Sequence, residues 1–560
     1  MLKNSFKILG LLLTANFLYG QNIGVDFLNQ TGGKKFDYAV DVATDSEGNI
    51  ITMGVFIDSV DLDPGTNKQL VYSKNNSMYL QKTDTDGKLI WIKTISSTVS
   101  HILIYRLDVD IDNNILVAGA FRAKTDFNPG TDSFFVEPNG STNGFVLKLN
   151  NDGEFTWVYT CGSGLGTYAR TVDTDSEGNV YLSGDFELAF DADNGEGETK
   201  LTPVGESDVY IIKLNSAGEF QWATSFGGDK HDDVGEVLVD NSDNVLVAGG
   251  FESTVDFDPG VGETKFTSNG RTDAFVSKFN KDGNLLWAQA IGGSSSDFGL
   301  CLANGNNGNV YMGGYFYDSV DFNPGSGTHF LKSNGSDDIF ILKLDAAGSY
   351  NWAKSVGGTF RDRAICLDTD EQENAYLSGF FSRDVDFNPN DGVDTVKSKG
   401  YDDIFVQKLD KDGEYEWTFT FGGVKREFLY GAHYDGNTMI LAGSFEDTIT
   451  LADNRQFISK GFADGIVFKL KDKSVGLPKD QQKMSVALYP NPNQGNFLLR
   501  LNKLQENVSI SIYQVNGKLI SKATYQNQRE IPLQIQSESG MYLVQVETKE
   551  GVEQVLVSIQ

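Results

Sequence analysis

Residues 255–260 read Val-Asp-Phe-Asp-Pro-Gly, and close copies of this string occur at regular steps along the chain. The copies lie at 60–65, 125–130 and 320–325, with more altered versions at 190–195 and 385–390. All six tryptophans keep the same step, with intervals of 66, 65, 65, 65 and 65 residues between Trp91, Trp157, Trp222, Trp287, Trp352 and Trp417. A fixed period of this kind indicates a protein built from structural repeats.

Each repeat reads as four short strands. In the fifth copy the runs are 298–303, 310–316, 339–344 and 350–356, which are rich in Val, Ile, Tyr and Phe and bounded by Gly, Asn and Asp. This pattern is typical of strands joined by tight hairpins. Four-stranded antiparallel units repeated around an axis form a β-propeller. The period exceeds the ~40–50 residues usual for such repeats, and the surplus lies between the second and third strands.

The two ends of the repeat region complement each other. The last copy ends after its third strand at 466–470, whereas a strand at 25–30 precedes the first complete copy and has Phe27 at the tryptophan position. We therefore predict an all-β chain, with a seven-bladed β-propeller over residues 21–471 whose last blade is completed by the N-terminal strand. Alternating runs beyond it predict a small C-terminal β-sandwich.

The flanking segments indicate export. Residues 1–20 have the lysines, apolar run and small residues of a secretory signal peptide. No other stretch approaches the roughly 18 apolar residues of a transmembrane helix. The formal net charge of −31 makes nucleic acid and anionic membranes poor partners. Polar residues 472–483 read as a linker to a second domain at 484–560.

The second domain contains a set of motifs in a fixed order. They are a Tyr-Pro-Asn-Pro string followed by glycine, a Gly-Lys pair and a Gly-Met-Tyr string before the final strand. The positions are Tyr489, Pro490, Asn491, Pro492, Gly495, Gly517, Lys518, Gly540 and Tyr542. Over 485–560 the segment resembles the type A C-terminal sorting domain of the type IX secretion system of Bacteroidota. The resemblance implies partnership with that machinery and its sortase-like protease, attachment to surface lipopolysaccharide, and a secreted or outer-surface location.

No catalytic string is present. The four histidines belong to no His-Glu-x-x-His motif, and no Gly-x-Ser-x-Gly, Walker-type or Cys-x-x-Cys string occurs. We therefore expect a protein that is not an enzyme. The three cysteines, Cys161, Cys301 and Cys366, read as small buried apolar residues rather than as disulfide partners.

The Asp-Phe-Asp-Pro-Gly loops form one system of candidate carboxylates. Alternate oxygen ligands suit a hard cation such as Ca²⁺, so these aspartates are candidate metal ligands. The alternative is that the first aspartate of each loop caps backbone amides while Pro-Gly makes the bend. The candidates are Asp61, Asp63, Asp256, Asp258 and Asp321.

A second system lies four residues beyond each Gly-Gly pair, where the chain enters the first strand of a blade. We expect these residues to surround one mouth of the central channel and to bind a ligand, with local turn capping as the alternative. His231, Arg361 and Arg363 are the local departures from the repeat. The series is Asp37, His101, Thr167, Asp232, Asp297, Asp362 and Glu427.

Strand direction predicts which face binds. In an up-down-up-down blade the long loops and the links between blades share one face, and rigid scaffolds carry function on such loops. We therefore predict a binding or adhesion module for an unknown glycan or protein. The alternatives are a polysaccharide-active enzyme, favoured by dissimilar polar residues in one channel mouth, and a structural surface-layer component. Aromatic residues and carboxylates on the loop face would favour binding.

Overall fold

The computed structural model describes residues 23–65, 67–97, 102–390, 392–451, 454–472, 486–489, 495–514, 518–535, 540–549 and 551–559. The predicted signal peptide, residues 473–483 of the predicted linker and His101 lie outside these residues, as do Pro490, Asn491, Pro492 and Gly517 of the predicted sorting motif. Contacts divide the chain into two compact parts, Met1–Asp472 and Lys473–Gln560. Regular structure in the described residues is β-strand, apart from a 3-10 turn at Asn306–Gly308.

The first part consists of successive four-stranded antiparallel runs, numbered here as repeats. The strands of repeats 1 to 3 are Tyr38–Thr44, Ile50–Asp61, Leu70–Thr83 and Leu89–Ser96; Ile102–Val109, Ile115–Phe121, Gly140–Leu149 and Phe155–Cys161; Gly164–Thr174, Val180–Phe186, Asp208–Leu214 and Phe220–Phe226. Those of repeats 4 to 6 are Asp232–Val239, Val245–Asp256, Lys265–Phe279 and Leu285–Ile291; Phe298–Asn304, Val310–Phe316, Asp338–Leu344 and Tyr350–Gly358; Arg363–Thr369, Ala375–Phe381, Asp403–Leu409 and Tyr415–Phe421.

Repeat 7 takes its strands from both ends of the region. Glu427–Tyr434, Thr438–Phe445 and Asp464–Asp472 supply three strands. Ile23–Gly33 is the fourth and pairs antiparallel with Asp464–Asp472, from Ile23 opposite Asp472 to Thr31 opposite Gly465. The predicted pairing of the N-terminal strand with the last repeat is confirmed.

The surplus residues between the second and third strands form a small outer hairpin. Its strands are Thr125–Asp126 with Phe135–Val136, Phe190–Asp191 with Lys200–Leu201, Ser319–Asp321 with Phe330–Lys332, Asp384–Asp386 with Thr395–Lys397, and Thr448–Thr450 with Gln456–Ile458. In repeats 1 and 4 the hairpin continues the long second and third strands. The phenylalanine of the Asp-Phe-Asp-Pro-Gly string is fully buried, as at Phe257, and anchors the hairpin.

Neighbouring repeats meet along their first strands. Each first strand contacts the first strand of the next repeat, and Glu427–Tyr434 contacts Tyr38–Thr44 of repeat 1. Buried carboxylates form hydrogen bonds from one first strand to the next. Asp41 Oδ2 accepts from the Leu107 amide at 2.8 Å, and Glu236 Oε2 accepts from the Leu302 amide at 2.6 Å.

The tryptophans join each fourth strand to the next repeat. The Trp352 indole N–H donates to the Lys411 carbonyl at 3.1 Å, and its ring lies against Gly413, where a Cβ would be 3.1 Å from ring atoms. Trp91, Trp157, Trp222 and Trp287 donate to the corresponding carbonyls of their neighbours. The Trp417 N–H has no partner among the described residues, because repeat 7 is built from two chain segments and its strands three and four share no turn.

A buried lysine near the end of the third strand accompanies each tryptophan. Lys82 pairs with Asp45 at 2.7 Å, an aspartate in the turn between the first two strands. The same pair recurs as Lys148 with Asp110, Lys213 with Asp175 and Lys278 with Asp240. Repeat 5 has Gly305 at the aspartate position, and Lys343 instead pairs at 2.7 Å with Glu373 of repeat 6.

The C-terminal part has five strands: Val486–Tyr489, Asn496–Gln514, Leu519–Gln534, Gly540–Thr548 and Gly551–Ile559. They pair as one antiparallel sheet, in place of the two separate sheets that the predicted sandwich implies. The pairing of Asn496–Gln514 is irregular between Arg500 and Gln505, and Val486–Tyr489 contacts Gly551–Ile559. The sheet therefore folds over its own apolar core, which includes Leu499, Ile531 and Val544.

The hydrogen bond of the repeated tryptophan can be tested against its exception. Replacing Trp352 with Phe removes the bond to Lys411, whereas Trp417→Phe removes none. We expect Trp352→Phe to lower the free energy of unfolding by about 1 kcal/mol more than Trp417→Phe does. Urea unfolding at matched protein concentration measures the difference, and equal costs at the two positions would contradict this assignment.

Candidate ligand-binding face

The carboxylates that follow the Gly-Gly pairs are buried and bound to backbone amides. Asp362 Oδ2 accepts from the Gly358 amide at 2.7 Å and Oδ1 from the Ser382 amide at 2.8 Å. The same contact to the Gly-Gly amide occurs at Asp37, Asp232, Asp297 and Glu427. In repeats 1, 4, 5 and 6 the second oxygen accepts from an amide in or just after the second strand, whereas Glu427 Oε1 has no partner among the described residues. This is the capping arrangement, and ligand binding by these residues stays a prediction.

A second row of buried aspartates explains the Gly-Gly pairs. A Cβ on Gly357 would lie 2.2 Å from Asp338 Cγ, and a Cβ on Gly358 would lie 2.3 Å from the Asp384 carbonyl oxygen. The first glycine therefore makes room for a carboxyl group and the second for a strand. Equivalent aspartates at the start of other third strands are Asp208, Asp273, Asp403 and Asp464. Sequence reasoning missed this row.

Burial raises the pKa values of both rows. It raises the pKa of Asp338 and of Asp362 to about 7, from an ordinary value of 3.8. Burial also raises the pKa of Glu427 to about 8. These carboxyl groups lose water when the protein folds, and the backbone amides offset only part of that loss.

The Asp-Phe-Asp-Pro-Gly loops cap themselves. Asp256 Oδ1 accepts from the amides of Asp258 at 3.2 Å and Thr264 at 2.9 Å, and Asp258 Oδ1 accepts from Gly260 at 2.8 Å. The same pattern holds for the other candidate metal ligands, Asp61, Asp63 and Asp321. In the described part of the chain, no group of three or more His, Cys, Asp or Glu side chains is arranged to hold a metal ion. Calcium binding stays a prediction.

The departures from the repeat have different partners. His231 Nε2 lies 2.8 Å from Glu206 Oε2. Arg363 Nε lies 2.5 Å from Asp337, and its guanidinium stacks on Tyr315 with its central carbon 3.9 Å from the ring centre. Arg361 stacks on Phe380 at 5.0 Å. The Thr167 hydroxyl is buried without a partner among the described residues.

A cavity of about 380 Å³ opens on the loop face at the start of the first strands. On one wall Arg170 donates to Asp185 at 2.6 Å, and its guanidinium stacks on the rings of Tyr105 and Tyr168 at 4.9 and 4.5 Å. Asp233 lines the same wall, and burial raises its pKa. The remaining lining is largely apolar and includes Phe298, Leu300, Ile365 and Tyr430. We call this cavity the mouth cavity.

In the mouth cavity, Asp233 and Phe298 stand one position beyond the residue that follows the Gly-Gly pair of their repeat. Five other lining residues stand three positions beyond it: Arg170, Gly235, Leu300, Ile365 and Tyr430. The third position differs in nearly every repeat, and its side chains meet across neighbouring repeats at the opening, as where Arg170 stacks on Tyr105. An alignment of the seven first strands, searched for the position that varies most between repeats, would have indicated this position. The column reads Val40, Tyr105, Arg170, Gly235, Leu300, Ile365 and Tyr430.

Below the mouth cavity lies a second cavity of about 180 Å³. Arg106 lines both cavities and forms ion pairs with Glu236 and, at 4.0 Å, with Asp41. Burial raises the pKa of Asp173 to about 8. First strands of all the repeats line this cavity, through Asp41, Arg106, Asp173, Glu236, Leu302, Cys366 and His433.

Comparison with known proteins identifies the C-terminal part. Residues 487–559 match the family described as "Secretion system C-terminal sorting domain". This match implies interaction with the type IX secretion machinery, and the chain is a secreted or outer-surface protein. No helix among the described residues is long and apolar enough to span a membrane.

The chain is similar to two curated proteins. The chain is 24% identical over 570 residues to "Uncharacterized WD repeat-containing protein L264" of Acanthamoeba polyphaga mimivirus, covering 85% of this chain and 40% of the viral protein. It is 31% identical over 142 residues to "Regulatory protein FlaEY" of Caulobacter vibrioides, covering 25% of this chain and 15% of that protein. The chain thus spans less than half the length of either relative.

Two solved structures align with most of the chain at low TM-scores. The alignment with a fungal alcohol oxidase of the AA5 family in complex with copper covers 83% of this chain and 98% of the oxidase chain, with 9% identity and a TM-score of 0.30. The alignment with a structural genomics protein of unknown function from Bacteroides thetaiotaomicron covers 77% of this chain and 98% of that protein, with 13% identity and a TM-score of 0.28.

The buried carboxyl groups predict a dependence of stability on pH. Because the folded pKa of Asp338 is about 7 against an ordinary 3.8, its stabilising contribution is complete near pH 4 and is lost as pH rises through 7. Asp338→Asn removes this titration. We expect the melting temperature of the variant, relative to wild type, to rise between pH 5 and pH 8. Exposed Asp152→Asn is the control, and parallel profiles for all three proteins would contradict the assignment.

Proposed function

We propose that residues 21–471 form a closed seven-bladed β-propeller that acts as a binding or adhesion module of a secreted or outer-surface protein. The pairing of Ile23–Gly33 with Asp464–Asp472 supports closure. So does the contact between the first strands of repeats 7 and 1. The similarity to a WD repeat-containing protein supports the propeller assignment.

The observation that carries the binding function is the mouth cavity. Its volume lies within the roughly 300–1,000 Å³ of small-ligand sites, and its walls differ in chemistry. Arg170, Asp185 and Asp233 offer fixed donors and acceptors on one side, while Phe298 and Tyr430 offer ring surface on the other. An amphipathic ligand with hydroxyl groups and apolar faces, such as a glycan end or a protein side-chain cluster, suits this arrangement.

A polysaccharide-active enzyme is the second candidate, favoured by the dissimilar polar groups in the mouth cavity. Glycoside cleavage needs a carboxylic acid and a separate carboxylate on either side of the bond. Asp185 is held by the Arg170 guanidinium at 2.6 Å and lies on the same wall as Asp233, so these two carboxyl groups are not placed on opposite sides of a bound sugar. We therefore propose binding rather than cleavage.

The C-terminal domain directs export in this proposal. The sorting-domain match supports delivery to the type IX machinery. Removal by its sortase-like protease and attachment of the repeat region to surface lipopolysaccharide are proposed on the same basis, as is the boundary between residues 472–483 and 484–560.

Substitution of Tyr105 tests the binding proposal. On a panel of neutral and acidic oligosaccharides and surface proteins, the full chain should bind at least one ligand, and Tyr105→Ala should weaken that binding by about tenfold or more. Tyr72→Ala removes a ring that is 67% exposed at the outer hairpin of repeat 1 and should leave binding unchanged. Wild-type binding by Tyr105→Ala would overturn the mouth cavity as the site. Release of reducing ends, abolished by Asp233→Asn, would establish the enzyme instead.

Truncation tests the sorting role. A chain ending at residue 483 keeps every strand of repeats 1 to 7, so we expect it to fold and remain in the periplasm. Cell fractionation, with the circular dichroism melt of the purified protein as the folding control, measures both outcomes. Surface display equal to that of the full chain would contradict the assignment.

A further inference from the structure

The loop face of repeat 6 carries a cluster of cationic and aromatic side chains distinct from the mouth cavity. Arg383 stacks on Phe360 with its guanidinium carbon 5.7 Å from the ring centre, and Arg426 stacks on Tyr401 at 5.6 Å. Arg361 completes the set on Phe380. We call these three arginines with Phe360 and Tyr401 the repeat 6 patch.

One buried carboxylate lies beneath two of the three arginines of the patch. Asp402 is buried and lies 4.0 Å from Arg361 Nη2 and 3.6 Å from Arg426 Nε. The Ser382 hydroxyl fixes the carboxylate by donating to it at 2.6 Å. The guanidinium groups of Arg361 and Arg426 are thus positioned from beneath, while their side chains remain 45% and 54% exposed.

The charge of the patch opposes that of the protein. Two of the three arginines lie beside the buried Asp402 carboxylate, and the formal charges of these four side chains sum to +2 on a chain with a formal net charge of −31. The neighbouring Asp384 lies 3.9 Å from Lys397. A local positive surface on an acidic protein attracts anions at the patch and repels them elsewhere.

Arg383 departs from the repeat at a backbone position that disfavours it. Its φ is +65°, and the equivalent residues in repeats 1, 4, 5 and 7 are Asp58, Ser253, Asp318 and Asp447, with φ between +58° and +72°. The equivalence extends to hydrogen bonding, since the amides of Ser253, Arg383 and Asp447 all donate to a serine hydroxyl of the facing strand. Short polar residues tolerate left-handed φ better than arginine, so the long cation is retained here at a cost in stability.

The exposed rings specify the kind of anion. Phe360 is 51% and Tyr401 56% exposed, and such rings offer flat faces to the C–H surface of a sugar ring. Guanidinium groups bind the planar oxygen pairs of carboxylate or sulfate bidentately. An acidic peptide supplies the charges without a flat ring face beside each one. We propose that the repeat 6 patch binds an anionic polysaccharide with uronate or sulfate groups.

The test uses the full chain with polygalacturonate, dextran sulfate and neutral dextran, and measures dissociation constants at low and high salt. We expect binding to the two anionic polymers, weakened by salt, and none to dextran. Arg383→Asp should weaken binding by about tenfold while leaving the melting temperature unchanged or raised, because aspartate occupies this conformation in repeats 1, 5 and 7. Lys265→Asp makes the same charge change on an exposed hairpin of repeat 4 and should bind as wild type.

The other outcomes overturn the proposal. If Arg383→Asp and Lys265→Asp lose the same affinity for the anionic polymers, the effect comes from net charge alone. If dextran binds as tightly as these polymers, the anionic groups have no role. Binding of polyglutamate as tight as that of polygalacturonate would assign the patch to a protein partner. Tyr105→Ala, which tests the mouth cavity, should leave polygalacturonate binding unchanged, so that failure of one site is distinguishable from failure of the other.

Discussion

The structure depends on a contact in which two side chains of one repeat meet a single carbonyl of the next. Lys148 and Trp157 both donate to the Ser216 carbonyl, at 3.2 and 3.3 Å, and Lys343 and Trp352 both donate to Lys411, at 3.0 and 3.1 Å. A buried ammonium also requires a carboxylate. The contact therefore fixes a lysine, a tryptophan, an acid and a glycine turn at constant spacing, which is why the period hardly varies. Repeat 5 shows that the ion pair of the lysine is the constrained feature. Gly305 stands where the other repeats have the turn aspartate, and Glu373 of the next repeat supplies the negative charge for Lys343. The pairing is kept, while the residue that provides it is not.

The repeated architecture also determines which polar residues are free for function. Most repeated aspartates serve the fold, since Asp256 and Asp258 cap their own loop, while Asp362 holds a Gly-Gly segment and Asp338 lies beneath it. A chain with many acids can thus offer few of them to a ligand. What remains is found where the repeats differ, at Arg170 in the mouth cavity and at Arg383 in the repeat 6 patch. Both arginines stack on aromatic rings, although only Arg170 is paired there with an acid.

The sequence predicts what depends on local pattern and period. The four strands of each repeat, the position of the surplus residues and the pairing of the N-terminal strand with repeat 7 all follow from alternation, turn residues and the missing fourth strand. The aspartate row beneath the Gly-Gly pairs could not be found in this way, because Asp338 precedes Gly357 by a whole hairpin and meets it only in the folded sheet. The mouth cavity was missed for a related reason. Its residues come from several repeats, and each looks ordinary within its own strand.

The two ends of the repeat region lie on the face opposite the residues proposed to bind. Ile23 and Asp472 are paired at one edge of repeat 7, where a third strand ends and a fourth begins, so both lie on the face of the tight turns. The mouth cavity and the repeat 6 patch are built from the starts of first strands, the links between repeats and the loops after second strands, all of which lie at the opposite ends of the strands. Both ends of the repeat region are therefore separated from the residues proposed to bind by the length of a strand. Cleavage or attachment beyond Asp472 would remove none of the loop-face residues, Arg170 and Arg383 included.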